Sequence, residues 1–139
     1  MEVTIKSEVD QIKWNQALEE PEYGTIYQNT YFADYVREIL KEQPIFITAK
    51  ENGKIFGQLL LFKTCCFHGG VYDKPLGSLM VKFFMKIKPL YHWYFGPVTH
   101  CTEEGYEAYT KILYTVRMMA KGKGINIFSC YPASLRRQK

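Results

Sequence analysis

The chain of 139 residues suffices for one domain with its own core and is too short for two. Hydrophobic residues make up 47% and charged residues 23%, a globular balance rather than a disordered one. The formal charge of +4 is too mild to indicate a dedicated nucleic-acid binder.

Val3-Thr4-Ile5-Lys6 alternates in polarity and predicts a short strand. Val9, Ile12, Trp14, Ala17 and Leu18 recur at helical spacing, which predicts an amphipathic helix over residues 8–20, ended by Pro21. Residues 24–28 read as a brief extended or turn segment. Asn29 or Thr30 can cap a second helix, whose expected apolar face is Tyr31, Phe32, Tyr35, Val36, Ile39 and Leu40. Two β-rich runs, 45–50 and 54–62, flank Glu51-Asn52-Gly53; Asn-Gly is the preferred type I′ hairpin turn because both central residues need positive φ. The second run extends toward Cys66 or Phe67, and Gly57 inside it predicts a bulge or a close backbone approach.

Gly69-Gly70 breaks the chain over 68–73. Leu76, Leu79, Met80, Phe83, Phe84 and Ile87 then predict a third helix, with Lys82, Lys86 and Lys88 interspersed and Pro89 at its end. Residues 91–95 are aromatic-rich and predict a strand stopped by Gly96-Pro97. Tyr106, Tyr109, Ile112, Leu113, Val116 and Met119 mark a long helix capped by Thr102, and it ends at Lys121-Gly122-Lys123-Gly124, where Gly suits the position after a helix. A last strand covers 125–130, before Pro132. The fold class predicted is α/β (α+β, mixed sheet), antiparallel at its start and parallel at its end.

Cysteines stand at 65, 66, 101 and 130, with no C-x-x-C pair and no Cys/His cluster at metal spacing, so no metal site is expected. The polar start lacks a secretory pattern, and reduced thiols in the cytoplasm are the natural expectation. Lysines at 63, 82, 86 and 88 interrupt the apolar runs, so no transmembrane segment is expected.

Several phrases resemble the first half of the FemAB-type aminoacyltransferases, whose domains have the GNAT, acetyltransferase-like fold. They are Trp14 in the first helix, Gln28-Asn29-Thr30-Tyr31-Phe32 leading into the second, Asn52-Gly53-Lys54-Ile55-Phe56-Gly57-Gln58-Leu59-Leu60-Leu61 in the hairpin, Tyr94-Phe95-Gly96-Pro97-Val98, and Ile127-Phe128-Ser129-Cys130-Tyr131-Pro132-Ala133. The resemblance spans nearly all of 1–139. It implies a single GNAT-like domain that stops before the helix and two strands that normally finish the fold. It also implies transfer of an aminoacyl or acyl group, with aminoacyl-tRNA as donor, to an amine such as that of a peptidoglycan (cell-wall) precursor. The substrate-binding positions it implies are Tyr27, Gln28, Asn29, Tyr94, Gly96 and Pro97, none with an assigned catalytic role.

Acetyl-CoA in this fold is held by a glycine-rich turn whose N–H groups and following helix N-terminus face the pyrophosphate. Here the matching turn, 96–104, contains Pro97, lacks a glycine pair and places Glu103 and Glu104 where the phosphate would go, so acetyl-CoA is disfavoured. His100 and Cys101 are adjacent, but neighbouring turn residues point apart, and ordinary loop residues are the expectation. Cys65 and Cys66 would point to opposite faces of a strand as small core or edge residues. Tyr91, His92, Trp93 and Tyr94, with Tyr27 and Tyr31, could line a groove for a sugar or peptide; core packing is the commoner role of such strands. The lysines at 82, 86 and 88 could lie on an anionic membrane, although a solvated lysine face over packed apolar residues is commoner. The basic tail 135–139 could touch tRNA phosphates or simply fray.

Two function classes therefore stand open: an acyltransferase acting on an amine, and a non-catalytic binding or interaction module of the same fold. A strand over 125–130 at a sheet edge is a template for a second chain, so a homodimer through residues 125–135 is expected.

Overall fold

Leu59-Leu60-Leu61-Phe62 is buried along its whole length, because alternate residues of the strand that carries it face two different cores. The chain, described by a computed structural model over residues 1–21, 24–65, 89–123 and 126–132 with Gly77, Leu79, Met80, Phe83 and Lys86, has helices on both sides of one sheet. In chain order the elements are β1 (Glu2–Lys6), α1 (Gln11–Glu19), a 3-10 turn (Ile26–Gln28), α2 (Thr30–Ile39), β2 (Gln43–Glu51) and β3 (Lys54–Cys65). β4 (Pro89–Gly96), β5 (Val98–Thr99), α3 (Glu103–Lys121) and β6 (Asn126–Pro132) follow. The sheet order is β1-β2-β3-β4-β6, with β5 pairing β3; all pairs are antiparallel except β4 with β6, which are parallel. The mixed sheet predicted from the element order is thus present.

The hairpin forms as expected, with Asn52 at φ 50° and Gly53 at φ 81°, the paired positive values that a type I′ turn demands. Both readings of Gly57 hold. The β2–β3 register slips between Ala49 and Lys50, and a Cβ built on Gly57 would come within 2.9 Å of Ala108 Cβ on α3. That contact lets α3 press Ala108, Ile112, Val116 and Ala120 onto Ile47, Ala49, Leu59, Leu61, Tyr91 and Trp93. Trp14, Leu18, Ala33 and Val36 cover the opposite face over Phe46, Leu60, Phe62 and Val98. Each fully buried Val, Leu, Ile or Phe among them contributes about 1.5–3 kcal/mol through burial.

Several boundaries and faces differ from the sequence reading. α1 starts at Gln11, not near residue 8, because the Asp10 carboxylate accepts from Lys13 N–H (3.1 Å) and closes the helix there. With Trp14 and Leu18 facing inward, Ile12 falls on the outer side and is exposed. On α2, Asn29 is the cap, accepting from Phe32 N–H at 2.7 Å. Half of its expected apolar face holds, since Val36 is buried and Phe32 and Leu40 pack against the same core; Tyr31, Tyr35 and Ile39 are instead 71%, 55% and 57% exposed, and Thr30 and Ala33 take the buried positions. Small side chains at 30 and 33 let the helix lie close to the sheet, and that proximity outweighs the larger residues' apolar area.

Residues 26–28 form a 3-10 turn, and β5, absent from the sequence reading, follows the cis Gly96–Pro97 bond. Gly122 ends α3 in ordinary helical geometry (φ −64°), without the left-handed cap that its type suggested. The last strand runs from Asn126 to Pro132 rather than over 125–130. Of the predicted third helix, the described residues Gly77, Leu79, Met80, Phe83 and Lys86 are helical, and the rest of that expectation lies outside the described residues.

Candidate functional site

β3 and β4 are hydrogen-bonded from Phe62↔His92 to Cys65↔Pro89, and the chain rejoins β3 only at Gln58↔Val98 on β5. Between these points Leu59–Leu61 lie opposite 93–97, where the chain carries more residues than the ladder accommodates. Phe95 takes a left-handed φ of 44°, and Trp93 Nε1 donates to the Gly96 carbonyl across the resulting turn (2.9 Å). Backbone groups of the two parted strands would lie buried and unsatisfied without a third partner.

Gln28 is that partner. Its side chain is fully buried, its Oε1 accepts from Leu60 N–H (2.6 Å), and its Nε2 donates to the carbonyls of Tyr94 (2.5 Å) and Leu60 (3.4 Å). Its own carbonyl accepts from Trp14 Nε1 at 2.7 Å, and Gln58 Nε2 in turn donates to the Trp14 carbonyl (3.2 Å). A Cβ on Gly96 would sit 3.0 Å from the Gln28 amide, so glycine there keeps the seat open. The 3-10 turn and α2 are locked to α1 by Asn15, whose amide exchanges two hydrogen bonds with Thr30 (2.9 and 3.0 Å).

Around this wedge lies a continuous aromatic surface. Tyr27 packs against Phe95 with centroids 4.9 Å apart, lies edge-on to Phe32 (5.2 Å) and flanks Tyr94 (6.3 Å). Phe32 meets Tyr94 edge-on at 5.4 Å, and Tyr94 meets His92 at 5.3 Å. Tyr27 and Phe95 are solvent-facing, Tyr94 is half-buried, and His92 is buried beneath them. His92 Nε2 lies 2.7 Å from Glu42 Oε2, both side chains being almost wholly buried.

The structure therefore brings together the six positions singled out in the sequence, but uses them differently. Tyr27 and Tyr94 reach the surface, Gln28 and Asn29 spend their side chains on backbone groups, and Gly96 and Pro97 form the turn floor. Phe95 and the Glu42–His92 pair were not singled out as partners. Glu42 and His92 stand 50 positions apart, and no local spacing links them. Tyr91 and Trp93 belong to the opposite core, which removes them from any groove on this face; burial pushes the Tyr91 hydroxyl pKa up. His100 turns to Glu20 (Nε2–Oε2 3.7 Å) and the Phe56 ring, while Cys101 is exposed, an arrangement without a built nucleophile–base pair.

At the other side of the turn, the N-terminus of α3 is filled by its own chain. Thr102 Oγ1 accepts from Gly105 N–H (3.2 Å), and the Glu104 carboxyl accepts from its own backbone N–H and from the Thr102 hydroxyl, which hold it below the usual carboxylate range. A Cβ on Gly105 would fall 1.9 Å from the His100 carbonyl oxygen, so the 100–102 turn lies directly against the first turn of the helix. Among the described residues no group of three His, Cys, Asp or Glu could hold a metal ion, and no helix is long and apolar enough to cross a membrane.

No protein-family profile and no curated protein matches the sequence. Among solved structures, the chain is similar to the ribosomal-protein-alanine N-acetyltransferase of Brucella melitensis biovar Abortus 2308, with a TM-score of 0.58 at 8% identity. The match covers 97% of this chain and 83% of that one. The chain thus has the GNAT-like, acyltransferase-type fold.

Proposed function

We propose that this chain is an acyltransferase domain that delivers an acyl or aminoacyl group to an amine acceptor seated against Tyr27, Tyr94 and Phe95. The observation that carries the reading is the parting of β3 and β4, which Gln28 holds open at the end of a central strand in an acyltransferase-type sheet. Exposed aromatic faces there can position and desolvate an amine-bearing substrate, and positioning supplies much of the rate in acyl transfer. The FemAB-like phrases meet at this place, since Trp14 bonds Gln28, Gln28 bonds Tyr94, and Phe32 packs on Tyr94. They favour aminoacyl-tRNA as donor and a peptidoglycan-precursor amine as acceptor. The occupied N-terminus of α3 supports a donor other than acetyl-CoA.

The test is transfer of a labelled amino acid from aminoacyl-tRNA to a lysine-bearing cell-wall peptide. The substitutions Tyr27→Ala and Phe95→Ala are each expected to lower kcat/KM by about tenfold or more, roughly 1.4 kcal/mol. A second reading, a binding module without turnover, is favoured by the same occupied helix end. It predicts that the peptide binds, that Tyr27→Ala weakens binding, and that no transfer occurs with either donor.

A further inference from the structure

We infer that the helical segment bearing Leu79, Met80, Phe83 and Lys86 is a docking surface for an anionic lipid bilayer. Leu79, Met80 and Phe83 are 67%, 47% and 59% exposed. Positions 79, 83 and 86 are three, four and seven apart and position 80 is three before 83, so in a helix the four share one side. Three large apolar residues turned outward on one side, with a lysine at its end, form the pattern of a helix that lies in the bilayer interface.

The charge of the segment's sequence selects the occupant. Between Asp73 and Glu103 the sequence has no Asp or Glu, yet it carries four lysines, at 74, 82, 86 and 88. A segment this rich in lysine and free of acids complements anionic headgroups, each lysine near the surface strengthening binding about fivefold (about 1 kcal/mol). The cores of protein interfaces are instead depleted in lysine. Lysines at 82, 86 and 88 interrupt its apolar run, which suits a segment that lies on the bilayer rather than across it.

The decisive experiment is co-sedimentation of the full chain with phosphatidylcholine vesicles, with and without one third phosphatidylglycerol. Pelleting is expected with the anionic vesicles, at least tenfold stronger than with the neutral ones. It should be lost as salt rises to about 1 M, where the screening length shrinks to about 3 Å. Lys86→Gln is expected to weaken binding about fivefold, and Leu79→Ser/Phe83→Ser at least tenfold, with thermal unfolding checking that the variants fold. If the double variant does not fold, the Lys86→Gln and salt series decide. Equal binding to both vesicles, binding to neither, or parent-like pelleting of the variants overturns the proposal. So does self-association in the absence of lipid that Leu79→Ser/Phe83→Ser dissolves, since that marks the face as a contact between copies.

Discussion

Replacing Gln28 by Ala removes the group that joins β3 to β4 where the ladder is open. The substitution leaves Leu60 N–H, in the interior, without its 2.6 Å acceptor and the Tyr94 carbonyl, partly buried, without its 2.5 Å donor. A buried backbone group that loses its partner costs about 1–3 kcal/mol, and the vacated side-chain volume adds to this, so the expected loss is about 3–5 kcal/mol. Against a total stability of about 5–15 kcal/mol, that is a large share and corresponds to a fall in Tm of roughly 10–20 °C. Urea unfolding followed by circular dichroism measures it directly. Gln28→Glu separates the hydrogen-bond argument from the volume argument. A carboxylate keeps the acceptor for Leu60 N–H but faces two carbonyls with a negative charge, so its pKa in the folded chain is raised above the unfolded value. The neutral acid can still donate to Tyr94. Its deficit relative to the parent should therefore be smallest below the unfolded pKa and should grow as pH rises through the folded one. A loss below about 1 kcal/mol for Gln28→Ala, or a Gln28→Glu deficit independent of pH, would refute the wedge.

Gly57→Ala must displace Ala108 Cβ at 2.9 Å and is expected to destabilise by about 1–3 kcal/mol in urea unfolding, whereas an unchanged midpoint would show that α3 can slide away. Gly105→Ala, in a helix where Ala has the better propensity, is expected to destabilise all the same, because its Cβ would meet the His100 carbonyl at 1.9 Å. Glu104 has a depressed folded pKa, first through its own backbone N–H and then through Thr102. Its contribution is complete above the unfolded pKa and disappears as pH falls through the folded one, so Glu104→Gln should make acid unfolding less steep in a circular-dichroism titration. Acetyl-CoA should show no tight stoichiometric binding in calorimetry, and Glu103→Gln/Glu104→Gln should improve any weak binding; a tight parent complex contradicts this. β6 stands at the end of the described sheet with Ile127 exposed, so a second copy is expected to pair along it, and a clean monomer by light scattering at micromolar concentration would exclude that.

The hairpin was legible because Asn52 and Gly53 encode their own positive φ values, and β3 because its β-rich run directly follows that turn. The turn of α2 toward the sheet was legible only in part. Periodicity ranks positions by side-chain hydrophobicity, and α2 buries Thr30 and Ala33 for their size while it leaves Tyr31 and Tyr35 outside. The aromatic site was half legible: the phrases around Gln28 and Tyr94 marked the right part of the chain. That Gln28 bonds backbone and Tyr27 faces solvent depends on where β3 and β4 part, a tertiary property 32 residues away from Gln28 at Leu60. The Glu42–His92 pair left no trace in either local sequence.

The two sides of the turn after Phe95 constrain the chemistry together. On one side Gln28 consumes the Tyr94 carbonyl, and on the other Thr102 and Glu104 occupy N–H groups at the first turn of α3. Backbone groups on both sides of the turn are thereby bonded within the chain, while the aromatic surface between them stays exposed. An acceptor can settle on Tyr27 and Phe95 by apolar contact without competing for any of these bonds. The proposed aminoacyl-tRNA donor would bring its own means of attachment through its extended charged backbone. For that reason the proposed activity should respond to the two sides unequally. Tyr27→Ala should raise the KM for the acceptor, and Glu104→Gln should leave the KM for aminoacyl-tRNA nearly unchanged. Steady-state kinetics with each substrate varied in turn reads both, and a rise in the KM for aminoacyl-tRNA on replacing Glu104 would place the donor at the helix end after all.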